Sequence, residues 1–419
     1  MNPRRWQRPD DALFFFFALF IFGSTFSIAL AQVSLGFALV LFIVIAVGTR
    51  YNPFASSLKP FYILIGAYIA WEFVAALAGD TPARSAWMLK EDWLFCIVPI
   101  GVYLLAKERY REHLVTAFAV GVLIVSIYGL MQHFSGLHWT KDTPPVAAPD
   151  YGYLVRGSFS HRLTFGNYYG TAALFLFGLG IAGVRRLSPH RRTLLMTASV
   201  LAVIVTILTY SRGVTVGVGV TLVAGGVLLG RKYLTATLGT LVVAVILVVL
   251  TQPGLVGRFG DIQKNDLDVG YEGGRLFIWE NSLVIAGEHP LFGVGAGNFE
   301  FAYAALLRPD IPHYRKHVHA HNDLLNIAAT TGLPGLAFFG GMWLLVLGYF
   351  WVGWRSSRFS DGERRFCLAA LLGSIVFFIT SLVEATFADE EVRQMLMFVW
   401  AAGLWPWYKK RDRPNVVDC

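Results

Sequence analysis

Three histidines fall within five residues, His317, His319 and His321, and Asn322 and Asp323 follow at once. An apolar stretch then runs on to Gly332, Pro334 and Gly335. Imidazole titrates nearer neutrality than other side chains, so such a cluster suits a proton acceptor or a metal ligand set. His317 and His319 follow Arg315 and Lys316 in a basic stretch that reads as solvated loop. His321 differs, because Asn322 or Asp323 can cap the helix that follows. That places His321 beside the first turn, whose partial positive charge disfavours imidazolium. The ring is therefore expected to be neutral at pH 7 and able to act as a base. His319 and His321 are two apart, which in a helix projects them to different faces. No HExxH-like pair or downstream carboxylate accompanies them, so no metal is expected. Nothing resembles a P-loop, and chemistry here would need a preactivated donor rather than a nucleotide cofactor.

Four arginines share the expected outer face of the chain. Arg156 and Arg162 lie in RGSFSHRLTFGN, Arg212 in the tight TYSRG turn between two apolar runs, and Arg275 at the start of a helix-like segment. A guanidinium near a membrane is costly to desolvate unless an anion or a polar cavity receives it. Its fork of donors suits phosphate oxygens. The alternative is that these arginines snorkel at the interface or pair with acids such as Asp261, Asp266 or Asp268. A tight turn between apolar spans has little reason to expose arginine to lipid, and four on one face favour a bound anionic headgroup.

The elements that must position these groups are membrane spans. Of the 419 residues 55% are hydrophobic and 15% charged, with 12 Trp and 33 Phe and a mean hydropathy of +0.55. Soluble domains carry about 25% charged residues, so the balance points to a membrane protein. The net charge of +8 sits in short connectors and does not indicate a nucleic-acid partner. Cys96, Cys367 and Cys419 suggest neither a disulfide framework nor zinc. The apolar runs predict an all-α, polytopic integral membrane protein with about twelve transmembrane helices, at 12–31, 33–48, 60–78, 91–106, 114–133, 166–184, 194–209, 214–230, 234–251, 333–353, 366–384 and 392–408. With a cytoplasmic N-terminus, 22 of the 35 Lys and Arg fall in short inner connectors. That bias places both termini in the cytoplasm. Residues 1–251 then form a nine-span region with a shorter outer loop at 132–165. Residues 252–332 form a long outer loop before the tenth span, and 333–419 a three-span region with a basic tail. Within the long loop, GRLFIWENSLVIAGEHP and FEFAYAALL read as helices lying on the membrane surface or capping the bundle.

Taken together, these motifs resemble the O-antigen ligase and polymerase family. His321–Asn322, nine residues, Gly332, two residues and Gly335 match its H-N/S-x9-G-x-x-G signature. The T-x-S-R-G turn at 209–213, R-G-x-F at 156–159, Gly274–Arg275 with Trp279, and PLFGVGAGNF at 290–299 are similar to its other landmarks. The resemblance implies an inverting glycosyltransferase without metal or nucleotide, on the periplasmic face of a bacterial inner membrane. It would transfer O-antigen polysaccharide from undecaprenyl diphosphate to lipid A–core oligosaccharide. By the same resemblance Arg212 and Arg275 bind the diphosphate with help from Arg156 and Arg162, and His321 takes the acceptor proton; Asn322, Gly332 and Gly335 support it. An O-antigen polymerase shares these residues. A protein O-oligosaccharyltransferase tends to carry an extra soluble C-terminal region. A non-enzymatic lipid-linked glycan transporter would want charges along a path through the bundle, whereas here they collect on one face.

Overall fold

The structure is a computed structural model describing residues 7–49, 51–52, 54, 57–139, 143–181, 187–251, 253–260, 274–307 and 317–408. The acids Asp261, Asp266 and Asp268, and the basic pair Arg315 and Lys316, lie outside these residues.

The architecture is all-α. Among the described residues the only β-pairing is an isolated bridge between Ala147 and Tyr153 in the shorter loop. The helices run α1 (Gln7–Gly23), α2 (Ile28–Thr49), α3 (Lys59–Ala78), α4 (Pro82–Met88), a 3-10 segment (Leu89–Cys96), α5 (Ile97–Leu105), α6 (Glu108–Ser135), α7 (Arg162–Ile181) and α8 (Pro189–Ile207). They continue with α9 (Arg212–Leu229), α10 (Arg231–Thr251), α11 (Pro253–Gly260), α12 (Arg275–Glu288), α13 (Phe299–Leu306), α14 (Asp323–Arg355), α15 (Asp361–Ser381) and α16 (Glu390–Tyr408).

Each expected span overlaps helix among the described residues. Among the described residues seven helices are long and apolar enough to cross a bilayer: α2, α3, α6, α8, α9, α14 and α15. Large apolar side chains on α2 (Val33, Phe37, Val40, Val44, Val47) and α10 (Val242, Val245, Ile246, Leu250) are exposed. Such surfaces have no place in water and belong against hydrocarbon. The protein is an integral membrane protein.

Two span boundaries differ from the sequence reading. The expected span 12–31 is broken by a turn at residues 24–27. There the Ser24 and Thr25 hydroxyls donate back to the Ile21 and Phe22 carbonyls, and Leu30 N–H donates to Ser27 Oγ. Local hydroxyl bonds of this kind compete with helix continuation. The expected span 91–106 begins as 3-10 helix and becomes α-helix only at Ile97.

The core lies around α5, α7, α15 and α16, which are buried along most of their length. Small residues let these helices approach closely, as membrane packing requires. A Cβ on Gly178 of α7 would meet Ala369 of α15 at 2.5 Å. In the long loop α12 and α13 form where expected, and α12 packs on α14 with a small apolar core of Ile278, Ile285, Val294, Phe299 and Tyr303.

Candidate active site

The glycine motif breaks α14 near its start, and the break is a docking point. Gly332 adopts φ 72°, ψ −178°, a conformation essentially confined to glycine. A Cβ there would lie 2.1 Å from the Leu291 carbonyl oxygen. The break diverts Leu333 N–H to the Pro290 carbonyl, and Pro334 has no N–H to offer Thr330. The carbonyls of Ala329 and Thr330, deprived of helical partners, accept instead from Val294 and Gly295 N–H, each at 2.9 Å. Trp71 Nε1 donates to the Thr331 carbonyl at 2.8 Å. The two glycine-rich landmarks of the sequence are thus each other's hydrogen-bonding partners.

Ten residues before the break, Asn322 caps α14: its Oδ1 accepts Leu325 N–H at 3.1 Å, and its Nδ2 donates to the Leu382 carbonyl at 2.9 Å. The cap expected from the sequence is present. His321 beside it has φ 49°. With Tyr210 (φ 54°) in the TYSRG turn, it is one of two non-glycine residues at positive φ among the described residues. Such backbone is held only where surroundings over-determine it, and it concentrates at functional sites.

What holds His321 is Glu384, in the segment between α15 and α16. His321 Nδ1 lies 3.0 Å from Glu384 Oε2, and Glu384 Oε1 accepts from the Arg275 guanidinium. Arg275 Nε also donates to the Val383 carbonyl at 3.0 Å. Burial raises the Glu384 carboxyl, but the His321 hydrogen bond and the Arg275 charge outweigh it and hold it below its ordinary value. It is a buried carboxylate, 7% exposed, joining the predicted base to a predicted diphosphate ligand.

The segment 382–389 is itself well anchored. Both carboxylate oxygens of Asp323 accept Phe387 N–H, at 3.2 and 3.1 Å. Arg393 donates to the Phe387 carbonyl at 2.8 Å and pairs with Asp92 at 3.1 Å. Thr164 Oγ1 donates to Asp389 Oδ2 at 2.9 Å.

The other arginines arrive from α7 and α9. Arg162, the first residue of α7, donates to the Thr209 carbonyl at 2.9 Å. Arg212 opens α9 three residues later, and a Cβ on neighbouring Gly213 would meet Val383 at 2.6 Å. The TYSRG turn therefore touches both Arg162 and the segment that receives Arg275 and His321. Arg156 stands apart: its guanidinium donates to Thr143 Oγ1 at 2.9 Å in the shorter loop, away from Glu384. Its backbone stays near the turn, since Val155 N–H donates to the Leu208 carbonyl.

His317 and His319 are not solvated loop residues as the sequence suggested. Both are half-buried against His321, with His317 Nδ1 3.3 Å from His321 Nε2 and His319 Nδ1 3.3 Å from the His321 amide. Burial first, and the His321 charge second, push each imidazole down to about 4. Glu384 is the residue the motif reading missed. Its only signal in the sequence is a lone acid ending the apolar run 366–384. Gly335 packs beneath the break, where a Cβ would meet Thr331 and Trp71.

Comparison with curated proteins yields no match. Residues 197–340 match the family model described as O-antigen ligase, a stretch that runs from α8 through the TYSRG turn, α12 and the histidines into α14. Over that segment the chain is similar to the O-antigen ligase family.

Proposed function

We propose that this protein is an inverting glycosyltransferase of the O-antigen ligase type. Its donor is O-antigen polysaccharide on undecaprenyl diphosphate, its acceptor lipid A–core oligosaccharide, and its site faces the periplasm from the inner membrane with both termini in the cytoplasm. The observation that carries the reading is the carboxylate bridge from His321 through Glu384 to Arg275.

In this reading Glu384 takes the Nδ1 side of His321, and the acceptor hydroxyl displaces His317 from Nε2 and gives that nitrogen its proton. The hydroxyl oxygen attacks the anomeric carbon as the carbon–oxygen bond to the diphosphate breaks. The electron pair leaves with the lipid diphosphate, whose charge meets Arg212 and Arg275, with Arg162 nearby. Two charges develop together, one on His321 beside Glu384 and one on the leaving group beside the arginines. Preorganised partners at both points are an efficient way to lower such a barrier. Arg156 contributes through the shorter loop. The charged groups gather on one face around the ends of α7, α9 and α14 rather than along a path through the bundle, which favours transfer over transport.

Purified protein in excess chelator should move glycan from lipid diphosphate to core oligosaccharide. His321→Ala should lose transfer by roughly 10²–10⁴-fold yet keep lipid-diphosphate binding. Arg212→Lys and Arg275→Lys should weaken donor binding, since lysine keeps the charge without the planar fork. Activity restored only by added metal, or donor binding abolished by His321→Ala, would overturn the assignment. A deletion strain carrying bare core with accumulated lipid-linked polymer marks a ligase; single repeat units on the core would mark a polymerase instead.

A further inference from the structure

A second polar cavity opens beside the candidate active site. It has a volume of about 390 Å³ and is lined by Ser24, Ser27, Ser158, Glu391, Phe26, Phe159 and Ile28. Three elements build it: the hydroxyl-rich turn between α1 and α2, the residues leading into α7, and the start of α16. Ser24 is fixed by Tyr168, whose hydroxyl lies 3.0 Å from Ser24 Oγ. Phe159 is fixed by edge-on contacts with Phe165 and Tyr169 and a tilted contact with Tyr168. Ser158 Oγ, by contrast, is buried with no hydrogen-bond partner among the described residues, and Ser158 lines the cavity. A buried hydroxyl in that position is costly unless something accepts or donates there.

Short links along the chain join the cavity lining to the active site. Ser158 and Phe159 lie a few residues before Arg162 and before Thr164, which binds Asp389. Asp389 lies between Glu384, the partner of His321, and Glu391, and both carboxylates help raise its own. Among the described residues no Lys or Arg lines the cavity. A carboxylate and three serine hydroxyls suit vicinal hydroxyl groups, and aromatic rings offer faces that attract the C–H side of a pyranose. The volume lies within the roughly 300–1,000 Å³ usual for small-molecule sites. The negative charge excludes phosphate, which the arginine side of the site attracts.

We propose that this cavity is a glycan subsite that binds a hydroxyl-rich sugar segment free of phosphate. The assignment rests on the glycosyl-transfer reading for the identity of its ligands. Glu391 accepts from two hydroxyls of one sugar ring, Ser158 completes the contact, and Phe26 covers an apolar face. The segment belongs either to the acceptor core or to the donor glycan next to its diphosphate.

The test is direct binding to purified full-length protein in nanodiscs, read by saturation-transfer NMR and titration. The probes are core oligosaccharide before and after chemical dephosphorylation, O-polysaccharide released from its lipid, and undecaprenyl diphosphate without sugar. Glu391→Gln and Ser158→Leu should each weaken one sugar by about tenfold, the effect of one charge-assisted hydrogen bond. Both should leave undecaprenyl diphosphate binding unchanged. Loss confined to the dephosphorylated core assigns the cavity to the acceptor, and loss confined to the O-polysaccharide assigns it to the donor. Ser158→Ala, which removes only the hydroxyl, should weaken the same sugar to a smaller degree and guards against misfolding of the leucine variant. Parent-like sugar binding by all three variants would overturn the proposal, as would an equal loss of undecaprenyl diphosphate binding in them. A parent protein that bound these sugars but failed to transfer glycan would sink the glycosyl-transfer reading while leaving the subsite standing.

Discussion

Glu384 lies with one carboxylate oxygen 3.0 Å from His321 Nδ1 while its other oxygen holds the Arg275 guanidinium. One side chain thereby sets the separation between the proton acceptor and a cation meant for the leaving group. Glutamine at this position keeps the shape and loses the charge that balances a protonated ring. Glu384→Gln is expected to slow transfer by roughly 10²-fold or more, in the range of general acid–base effects. Transfer by this variant at near the parent rate would remove Glu384 from the mechanism.

His317 and His319 are expected to matter, in contrast to the solvated role their sequence context suggests. Each lies against His321 and is pushed down to about 4, chiefly by burial. A histidine with a lowered value stabilises the fold fully above about pH 6.5, and that contribution is lost as pH falls through about 4. Alanine at His317 removes the contact to Nε2 and should reduce transfer by roughly 3–10-fold, the worth of one hydrogen bond. A rate within experimental error of the parent for both alanine variants would return the pair to the status of spectators.

Much of this site was legible in the sequence, and the rest was not for a physical reason. The cap by Asn322, the tight turn around Arg212 and the helix opened by Arg275 are local patterns, fixed by neighbours within a few residues. Glu384 reaches His321 across 63 positions of chain, and Gly332 meets Leu291 across 41. Pairings of that kind depend on how helices pack and leave no periodic trace. The turn at 24–27 escaped detection because its residues are uncharged and interrupt the apolar run through hydroxyl bonds alone.

Gly332→Ala places a methyl 2.1 Å from the Leu291 oxygen in backbone that only glycine enters readily. The strain alone costs about 1–3 kcal/mol, and the clash adds to it. Thermal unfolding in detergent should report a clear loss of stability, with looser protease protection of residues 290–299. Unchanged stability would mean that the break is not the anchor of the loop.

Asp389 gives the protein a pH dependence near neutrality. Burial pushes its carboxyl up to about 7, against the Thr164 hydrogen bond and with the help of Glu391 and Glu384. A raised carboxyl favours the folded state fully below about pH 4, and that preference fades as pH rises through 7. The Asp389 contribution to the unfolding temperature should therefore fall between pH 5 and pH 8, most visibly above about pH 6.5 where His317 and His319 no longer act against it. Asp389→Asn, which mimics the protonated form, should flatten the curve; parallel curves for the two proteins would exclude this origin.

Between Asn322 and the break at Gly332 lie nine residues of uninterrupted helix, pinned at one end by a cap and at the other by a neighbouring backbone. A helix turns by roughly 100° and rises about 1.5 Å per residue, so this fixed count acts as an angular gauge as well as a length. Inserting one residue would swing His321 about a quarter-turn around the axis, away from Glu384, without altering any residue of the site. Inserting four would restore the bearing to within roughly 40° while lifting the ring by about 6 Å. The phase of a short helix, rather than the composition of the loop that bears the histidines, governs whether base and cation face the same substrate.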